Sequence, residues 1–136
     1  MTKRIRVVAA VIQRDGKYLI TQRRPEAVLP MLWEFPGGRV EGEEGDEEAL
    51  RREMLERLGA DIKVDQQLSS SEHTYSGYTV TMVLYKGCLI SDELQPLYVN
   101  AFCWIASDEF DNYAFPPADQ TTMDKLLGFS GGQSCA

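Results

Sequence analysis

A glycine-rich, acidic loop that runs directly into an amphipathic helix constrains this chain more than any other segment. Gly37-Gly38 begins the loop, and eight of the chain's 21 acidic residues lie between positions 41 and 56. From position 46 onward, apolar residues recur at the spacing of one face of a helix. They are Leu50, Met54, Leu55 and Leu58. Acidic residues at 46–48 and Gly59 after the last turn are typical of helix ends, so we predict a helix over residues 46–58.

The polar face predicted for this helix carries two carboxylates one turn apart, Glu53 and Glu56. Mg²⁺ is usually bound in proteins by one or two carboxylates together with substrate phosphates and water. A solvated acidic face is the alternative interpretation of the helix, and an ordinary turn is the alternative for Gly37-Gly38. The fixed offset between the glycines and the carboxylates favours a divalent-cation site beside a polyphosphate.

The rest of the sequence predicts one compact α/β unit. Runs rich in β-forming residues at 6–13 and 18–22 are joined by Asp15-Gly16, a dipeptide typical of tight hairpin turns. Further elements are strands at 33–35, 62–64, 69–75 and 79–88, a loop over 89–99, a buried strand at 102–105 and a helix at 121–127. We expect a single domain over residues 1–128, a flexible tail over 129–136, and a mixed sheet sandwiched by helices.

The loop and helix together resemble the signature of the Nudix hydrolases. The matching residues are Gly38, Glu44, the run Arg52-Glu53-Met54-Leu55-Glu56, Leu58, Gly59 and Ala60. Segments 7–12, 22–24, 32–38 and 115–119 look like the MutT-type branch, whose members act on nucleoside triphosphates. The resemblance extends over residues 7–127, and it implies the Nudix fold, an α/β/α sandwich around a mixed β-sheet.

The resemblance also implies roles for individual residues. The family's metal ligands carry over to Glu53, Glu56 and a backbone carbonyl of Gly37 or Gly38. The implied cofactor is Mg²⁺, with Mn²⁺ as a substitute. Glu53 matches a position that orders or deprotonates the attacking water. Glu44 and Arg52 match supporting positions of the catalytic segment, and Arg52 is expected to pair with one of its carboxylates.

Substrate recognition is expected from a second group of residues. It comprises Arg23, Phe35, Gly38, Arg57 and Asp119. Phe35 could stack on a base or be a core aromatic residue, and Arg23 could contact a phosphate or a base oxygen. Asp119 accepts hydrogen bonds only, so it would favour the donating edge of cytosine or of guanine, or it could cap the last helix. These residues leave cytidine and oxidised guanine nucleotides both open, and His73 receives no role.

Two departures from the family pattern affect the metal site. Arg57 stands where the signature has a glutamate that is commonly a metal ligand. One unit-charge interaction at about 4 Å is worth roughly 4 kcal/mol at an effective dielectric constant near 20, so an arginine beside the cation would weaken its binding. Arg57 could pair with Glu53 or extend toward a substrate phosphate. In addition, residues 97–103 lack the carboxylate that MutT-type enzymes place there, and Asp92 and Glu93 lie earlier in the loop. We therefore expect one well-held cation, with other cations held largely by substrate oxygens.

Composition excludes other classes of partner. The net charge of −7 argues against binding to nucleic-acid polymers, which requires clustered lysine and arginine. Cys88, Cys103 and Cys135 show no CxxC spacing and are expected to be free thiols in a reducing compartment. No apolar run has membrane-spanning length, so we expect a cytoplasmic protein with no membrane partner. The oligomeric state stays open.

These observations predict a Mg²⁺-dependent hydrolase that cleaves a (deoxy)nucleoside triphosphate, canonical or oxidised, into a nucleoside monophosphate and pyrophosphate. Activity that is weak, or that needs high Mg²⁺ or Mn²⁺, is expected because of Arg57 and the missing loop carboxylate. A Nudix-fold protein that binds nucleotides with little or no hydrolysis is the alternative. A hydrolase for another diphosphate compound, such as a nucleotide sugar or a dinucleotide, is the third hypothesis.

Overall fold

The computed structural model describes residues 3–91, 93–117 and 120–127 of the 136-residue chain. Its elements follow in chain order. They are β1 (Lys3–Arg14), β2 (Lys17–Gln22), β3 (Trp33–Glu34), β4 (Gly37–Arg39), α1 (Asp46–Leu58), β5 (Ile62–Tyr75), β6 (Tyr78–Leu89), β7 (Ala101–Ile105), a 3₁₀ helix (Ser107–Asn112) and α2 (Gln120–Leu127). Asp92, Asp119, Cys135 and the predicted tail over 129–136 lie outside the described residues.

Strand β1 organises a mixed sheet. It pairs in parallel with β6, which pairs antiparallel with β5. On its other edge, β1 pairs antiparallel with β4 near its middle and with β2 at its end. Strands β3 and β7 then pair with β2. The apolar run of β1 is long because both faces of its middle are covered, as buried Val8, Ala9 and Ala10 show.

Alternation along β1 and β6 assigns the two faces of the sheet. Val8 and Val83 lie in the core cluster with α1, whereas Ile5 and Val80 lie in a second cluster against which Met123 of α2 packs. The hydroxyl of Tyr78 in β6 donates a hydrogen bond of 2.7 Å to Asp124 of α2. The sandwich of helices around a mixed sheet is therefore confirmed.

The predicted helix and turns are also confirmed. Helix α1 spans Asp46–Leu58, and Gly59 ends it in the left-handed conformation, with φ of 64°. Asp46 ties the first turn to the sheet by accepting bonds of 2.6 and 2.7 Å from Arg6. Asp15 and Gly16 have φ values of 52° and 76°, as a two-residue hairpin turn requires.

The predicted faces of α1 need correction. Leu50, Met54 and Leu58 are buried, but Leu55 is half exposed, and Glu53 is buried rather than solvated. At 100° per residue, Glu53 lies only 60° from Leu50, whereas Leu55 lies 140° from it. The buried face is centred near Leu50, so Glu53 belongs to its border and Leu55 falls outside it.

Several other elements differ from the sequence-based expectation. The strands predicted at 62–64 and 69–75 form one strand, β5, whose register shifts between Val64 and Ser69 let it continue through a polar stretch. In β7 only Ile105 is fully buried, because the remainder lies at the border of the sheet. The 3₁₀ helix at Ser107–Asn112 was not predicted. Within the described ranges, no helix combines the length and apolar character needed to cross a membrane.

Candidate active site

A cleft of about 770 Å³ lies on the sheet face opposite the α1 core. Strands β1, β6 and β5 supply an apolar floor, which includes Val7, Met82 and Val80. Charged side chains and the glycines of β4 line the cleft as well. They are Arg23, Glu34, Gly37, Gly38, Arg39, Glu41, Glu53 and Arg57. The cleft therefore joins an apolar surface to a charged one. Of the predicted site residues that the structure describes, all except Glu44, Arg52 and Glu56 lie along its walls.

The two glycines allow three segments to approach closely. Gly37 and Gly38 are in β4, paired with Ala9 and Val8 of β1, so the ordinary-turn interpretation is wrong. A Cβ atom on Gly37 would lie 2.1 Å from the carbonyl oxygen of Val8. A Cβ atom on Gly38 would lie 2.5 Å from the carboxylate of Glu53. Glycine is needed here for close approach, because any side chain would displace the strand or the carboxylate.

Glu53 is a buried carboxylate held between two arginines. Its side chain is 8% exposed. One oxygen, Oε1, accepts a hydrogen bond of 2.5 Å from Nε of Arg57, and Oε2 accepts one of 3.1 Å from Nη1 of Arg52. A buried carboxylate without partners would carry a large desolvation cost, which the two guanidinium groups offset. The sequence signal for this burial was the 60° offset from Leu50.

Arg52 ties α1 to the glycine loop. Its guanidinium donates to both carboxylate oxygens of Glu44, at 2.7 and 3.0 Å, and to the carbonyl of Arg39 at 3.1 Å. The hydrogen bonds from Arg52 lower the pKa of Glu44 to about 2, so this carboxylate is ionised at neutral pH. The predicted pairing of Arg52 with a carboxylate of the loop and helix segment is confirmed.

Arg57 turns toward Glu53 and not away from it. Beyond its hydrogen bond to Glu53, Nη1 of Arg57 lies 3.8 Å from Glu34, which in turn pairs with Arg23 at 3.4 Å. Burial raises the pKa of the Glu34 carboxyl, against the lowering effect of Arg23 and Arg57. Of the two orientations left open by the sequence, the structure has the pair with Glu53. Glu34 was missed because its partners are distant in sequence.

The loop after β6 presents apolar residues beside the end of α1. The backbone N–H groups of Leu97 and Tyr98 both donate to the carbonyl of Arg57. The side chain of Leu97 packs so closely on Gly59 that a Cβ atom there would lie 3.0 Å from it. This contact fixes residues 97–98 at the helix end, where the sequence lacks the carboxylate of MutT-type enzymes.

The residues present fit a divalent cation only in part. Glu53 and Glu56 supply the carboxylate oxygens that Mg²⁺ prefers, and Glu56 is 59% exposed and 3.5 Å from Arg52. The absence of a side chain on Gly38 leaves its backbone directly against Glu53. In the part of the chain described, however, no three acidic, histidine or cysteine residues form a ready metal cluster. Of the two predicted carboxylate ligands, Glu53 is therefore held by both arginines, whereas Glu56 is largely exposed.

Aromatic side chains lie along the same cleft. Phe35 is half-buried and packs on Phe110 and Phe115, with ring centroids 5.8 and 6.1 Å away, yet it still lines the cleft. It therefore packs in an aromatic cluster and faces the cleft as well. His73 also lines the cleft, 4.4 Å from the ring of Tyr75. The two-residue alternation along β5, which places His73 and Tyr75 on one face, was the signal for this position.

Known proteins share the sequence pattern of this chain. The NUDIX domain family matches residues 7–125. The CTP pyrophosphohydrolase of Escherichia coli is 37% identical over 125 residues, which is 92% of this chain and 93% of that protein. An 8-oxo-dGTP diphosphatase of Proteus vulgaris is 31% identical over 84 residues, which is 61% of this chain and 75% of that protein.

The fold comparison agrees with the sequence comparison. The solution structure of the E. coli ORF135 protein matches with a TM-score of 0.73 and 31% sequence identity, covering 99% of this chain and 96% of that one. The Nudix fold and the resemblance to MutT-type Nudix hydrolases are confirmed. This chain belongs to the NUDIX domain family.

Proposed function

We propose that this protein is a Mg²⁺-dependent pyrophosphohydrolase that cleaves a nucleoside triphosphate into a nucleoside monophosphate and pyrophosphate. The observation that carries the proposal is the carboxylate of Glu53, buried against Gly38 in a cleft that also has an apolar, aromatic wall. A cleft of about 770 Å³ has the volume of a small-molecule site, and its two surfaces suit a polyphosphate and a base.

The charged residues in and around the cleft have separate roles in this proposal. Glu53 orients the attacking water and accepts its proton, and Arg52 holds that carboxylate in place. Arg23 and Arg57 supply positive charge toward the substrate phosphates. A divalent cation held by Glu53, Glu56 and a backbone carbonyl of Gly37 or Gly38 would neutralise phosphate charge and polarise the scissile bond.

The aromatic wall supports recognition of a base. Phe35 presents a ring to the cleft beside Phe115, so a base can stack there. The relatives named for CTP and 8-oxo-dGTP support a cytidine or oxidised guanine nucleotide as the substrate, consistent with an acceptor at Asp119. Removal of such nucleotides from the cellular pool would be the biological role.

A nucleotide-binding protein with little turnover is the second candidate. The contact that favours it is the hydrogen bond from Arg57 to Glu53, which places a positive charge where the family's metal ligand would stand. The same contact predicts weak hydrolysis, or hydrolysis that needs a high concentration of Mg²⁺ or Mn²⁺, in the first candidate.

One experiment separates the two candidates. Pyrophosphate release is measured with canonical and oxidised nucleoside triphosphates, each with Mg²⁺ and with Mn²⁺, for the wild type and the Glu53→Gln variant. Release by the wild type that is lost in Glu53→Gln supports the hydrolase. No release across the panel, together with a rise in melting temperature on adding nucleotide, supports the binding protein and overturns the hydrolase.

A further inference from the structure

We propose that Arg57 is a latch on Glu53 that opens only when a polyphosphate draws its guanidinium away, so that nucleotide binds before the divalent cation. The inference rests on the proposed function, because it concerns the order in which the substrate and the cation enter that site. It assigns Arg57 as a positioning residue that competes with the cation in the free protein and contacts phosphate in the complex.

Both carboxylate oxygens of Glu53 already accept a hydrogen bond from a guanidinium group. Oε1 accepts from Arg57 and Oε2 accepts from Arg52. A cation that approached Glu53 would meet a guanidinium on either side, and like charges repel. Each carboxylate oxygen keeps a second lone pair, so the hydrogen bonds alone do not exclude a cation. The two positive charges oppose its binding, which strengthens when one arginine moves.

Arg57 is held by fewer contacts than Arg52, so it is the arginine that moves. Arg52 is held by three further hydrogen bonds, two to Glu44 and one to the carbonyl of Arg39. Among the described residues, Arg57 has its hydrogen bond to Glu53 and a wider ion pair of 3.8 Å to Glu34. Fewer contacts must break to release Arg57, and it is Arg57 that lines the cleft.

A phosphate group can replace the contacts that Arg57 gives up. A guanidinium presents two parallel N–H donors that match a phosphate group. Glu34, the second partner of Arg57, keeps its pair with Arg23 when Arg57 moves. After the move, Glu53 has one oxygen free in a buried place, which a divalent cation then fills.

Thermodynamic linkage turns this geometry into two measurable expectations. The free protein should bind a divalent cation weakly, because the positive charge of Arg57 opposes its binding. It should bind a polyphosphate without any metal, because Arg57 is available to it. Couplings of this kind typically change affinities by about 5- to 150-fold.

The test compares the wild type with Arg57→Gln and with a matched control, Arg51→Gln. Arg51 lies on the same helix but pairs with Asp61 at 2.7 Å and does not line the cleft. Mn²⁺ binding to the nucleotide-free proteins is measured by electron paramagnetic resonance. Binding of inorganic tripolyphosphate in excess EDTA is measured by calorimetry, and circular dichroism verifies the fold of each variant.

We expect Arg57→Gln to bind Mn²⁺ at least about fivefold more tightly than the wild type, and tripolyphosphate at least about fivefold more weakly. Arg51→Gln should match the wild type in both measurements. Equal Mn²⁺ affinities for the wild type and Arg57→Gln would overturn the latch, as would equal tripolyphosphate affinities. Neither measurement involves hydrolysis, so failure of the latch is distinguishable from an inactive nucleotide panel, which would overturn the proposed hydrolase instead.

Discussion

The two sides of Glu53 are built from the same residue type but differ in how firmly that residue is held. On the loop side, Arg52 joins Glu53, Glu44 and the backbone of Arg39 through hydrogen bonds of 2.7 to 3.1 Å. On the cleft side, Arg57 has one short hydrogen bond and a distant ion pair. The difference indicates that one guanidinium fixes the carboxylate to the loop, whereas the other, which lines the cleft, is held by fewer contacts.

The largest expected effect comes from removing the negative charge of Glu53, which both arginines bind. Glu53→Gln keeps the shape of the side chain but cannot accept a proton, so pyrophosphate release should fall by about 10²- to 10⁴-fold. The matched control is Glu47→Gln, an exposed carboxylate in the first turn of the same helix. Release by Glu53→Gln within tenfold of the wild type would contradict a role for Glu53 in the chemical step.

A smaller effect is expected from adding a side chain at Gly38, where the loop lies directly against Glu53. The Cβ atom of Gly38→Ala would fall 2.5 Å from the carboxylate, so the carboxylate must shift. Such overpacking costs about 1–3 kcal/mol of stability, and a misplaced catalytic group can lose about 10²-fold in rate. Gly45→Ala, whose Cβ would meet no atom closer than 4.0 Å, is the control for pyrophosphate release, and urea unfolding of Gly38→Ala against the wild type measures the stability cost. Equal behaviour of the two variants would contradict the close approach.

Stability measurements test the comparison between the two arginines directly. Arg52→Gln breaks hydrogen bonds that link α1 to the loop and should lower the free energy of unfolding by about 1–3 kcal/mol. Arg57→Gln breaks one hydrogen bond to the same buried carboxylate and should lower it by less, about 1 kcal/mol. Urea unfolding of both variants measures the difference. If Arg57→Gln proves the more destabilising, Arg57 is the structural arginine and the comparison is reversed.

The smallest expected effect is on the loss of stability at low pH. The pKa of Glu44 is lowered to about 2 by Arg52, whereas a glutamate in an unfolded chain titrates near about 4.3. Because the folded-state pKa is the lower one, the contribution of Glu44 to stability is present above that unfolded value and is lost as the pH falls toward the folded one. Glu44→Gln should therefore lose less melting temperature than the wild type between pH 4.5 and 2. The exposed neighbour Glu43→Gln should follow the wild type, and an unchanged Glu44→Gln profile would contradict the ion pair.

Local signals predicted much of this architecture. The period of α1, the left-handed Gly59 and the Asp15-Gly16 turn are each set by neighbouring residues, and all appear as expected. The pairing of β1 with β6 and the 3₁₀ helix depend on contacts between distant segments. The periodicity of a helix also does not say where its buried face is centred, which is why Leu55 and Glu53 were assigned to the wrong environments.

Some residues of the candidate site also have local sequence signals, whereas others depend on contacts between distant segments. Glu53, Gly38 and Arg52 could be named because they lie within one short segment whose spacing is diagnostic. Glu34 and His73 reach the cleft through β3 and β5. The alternation along β5 places His73 on the same face as Tyr75, but no nearby residue indicates that this face of the sheet borders the cleft. The sequence left open whether Arg57 pairs with Glu53 or extends toward a substrate phosphate, and in the structure it pairs with Glu53, with Glu34 3.8 Å away.

The most direct test of the account is pyrophosphate release by Arg57→Glu, which places a carboxylate at the position where the family has one. Release is followed as Mg²⁺ is raised at saturating nucleotide, and then as nucleotide is raised at saturating Mg²⁺. We predict that Arg57→Glu needs less Mg²⁺ for half-maximal activity than the wild type, while its KM for nucleotide rises because a phosphate contact is lost. An unchanged or higher Mg²⁺ requirement would contradict the claim that Arg57 limits the metal site.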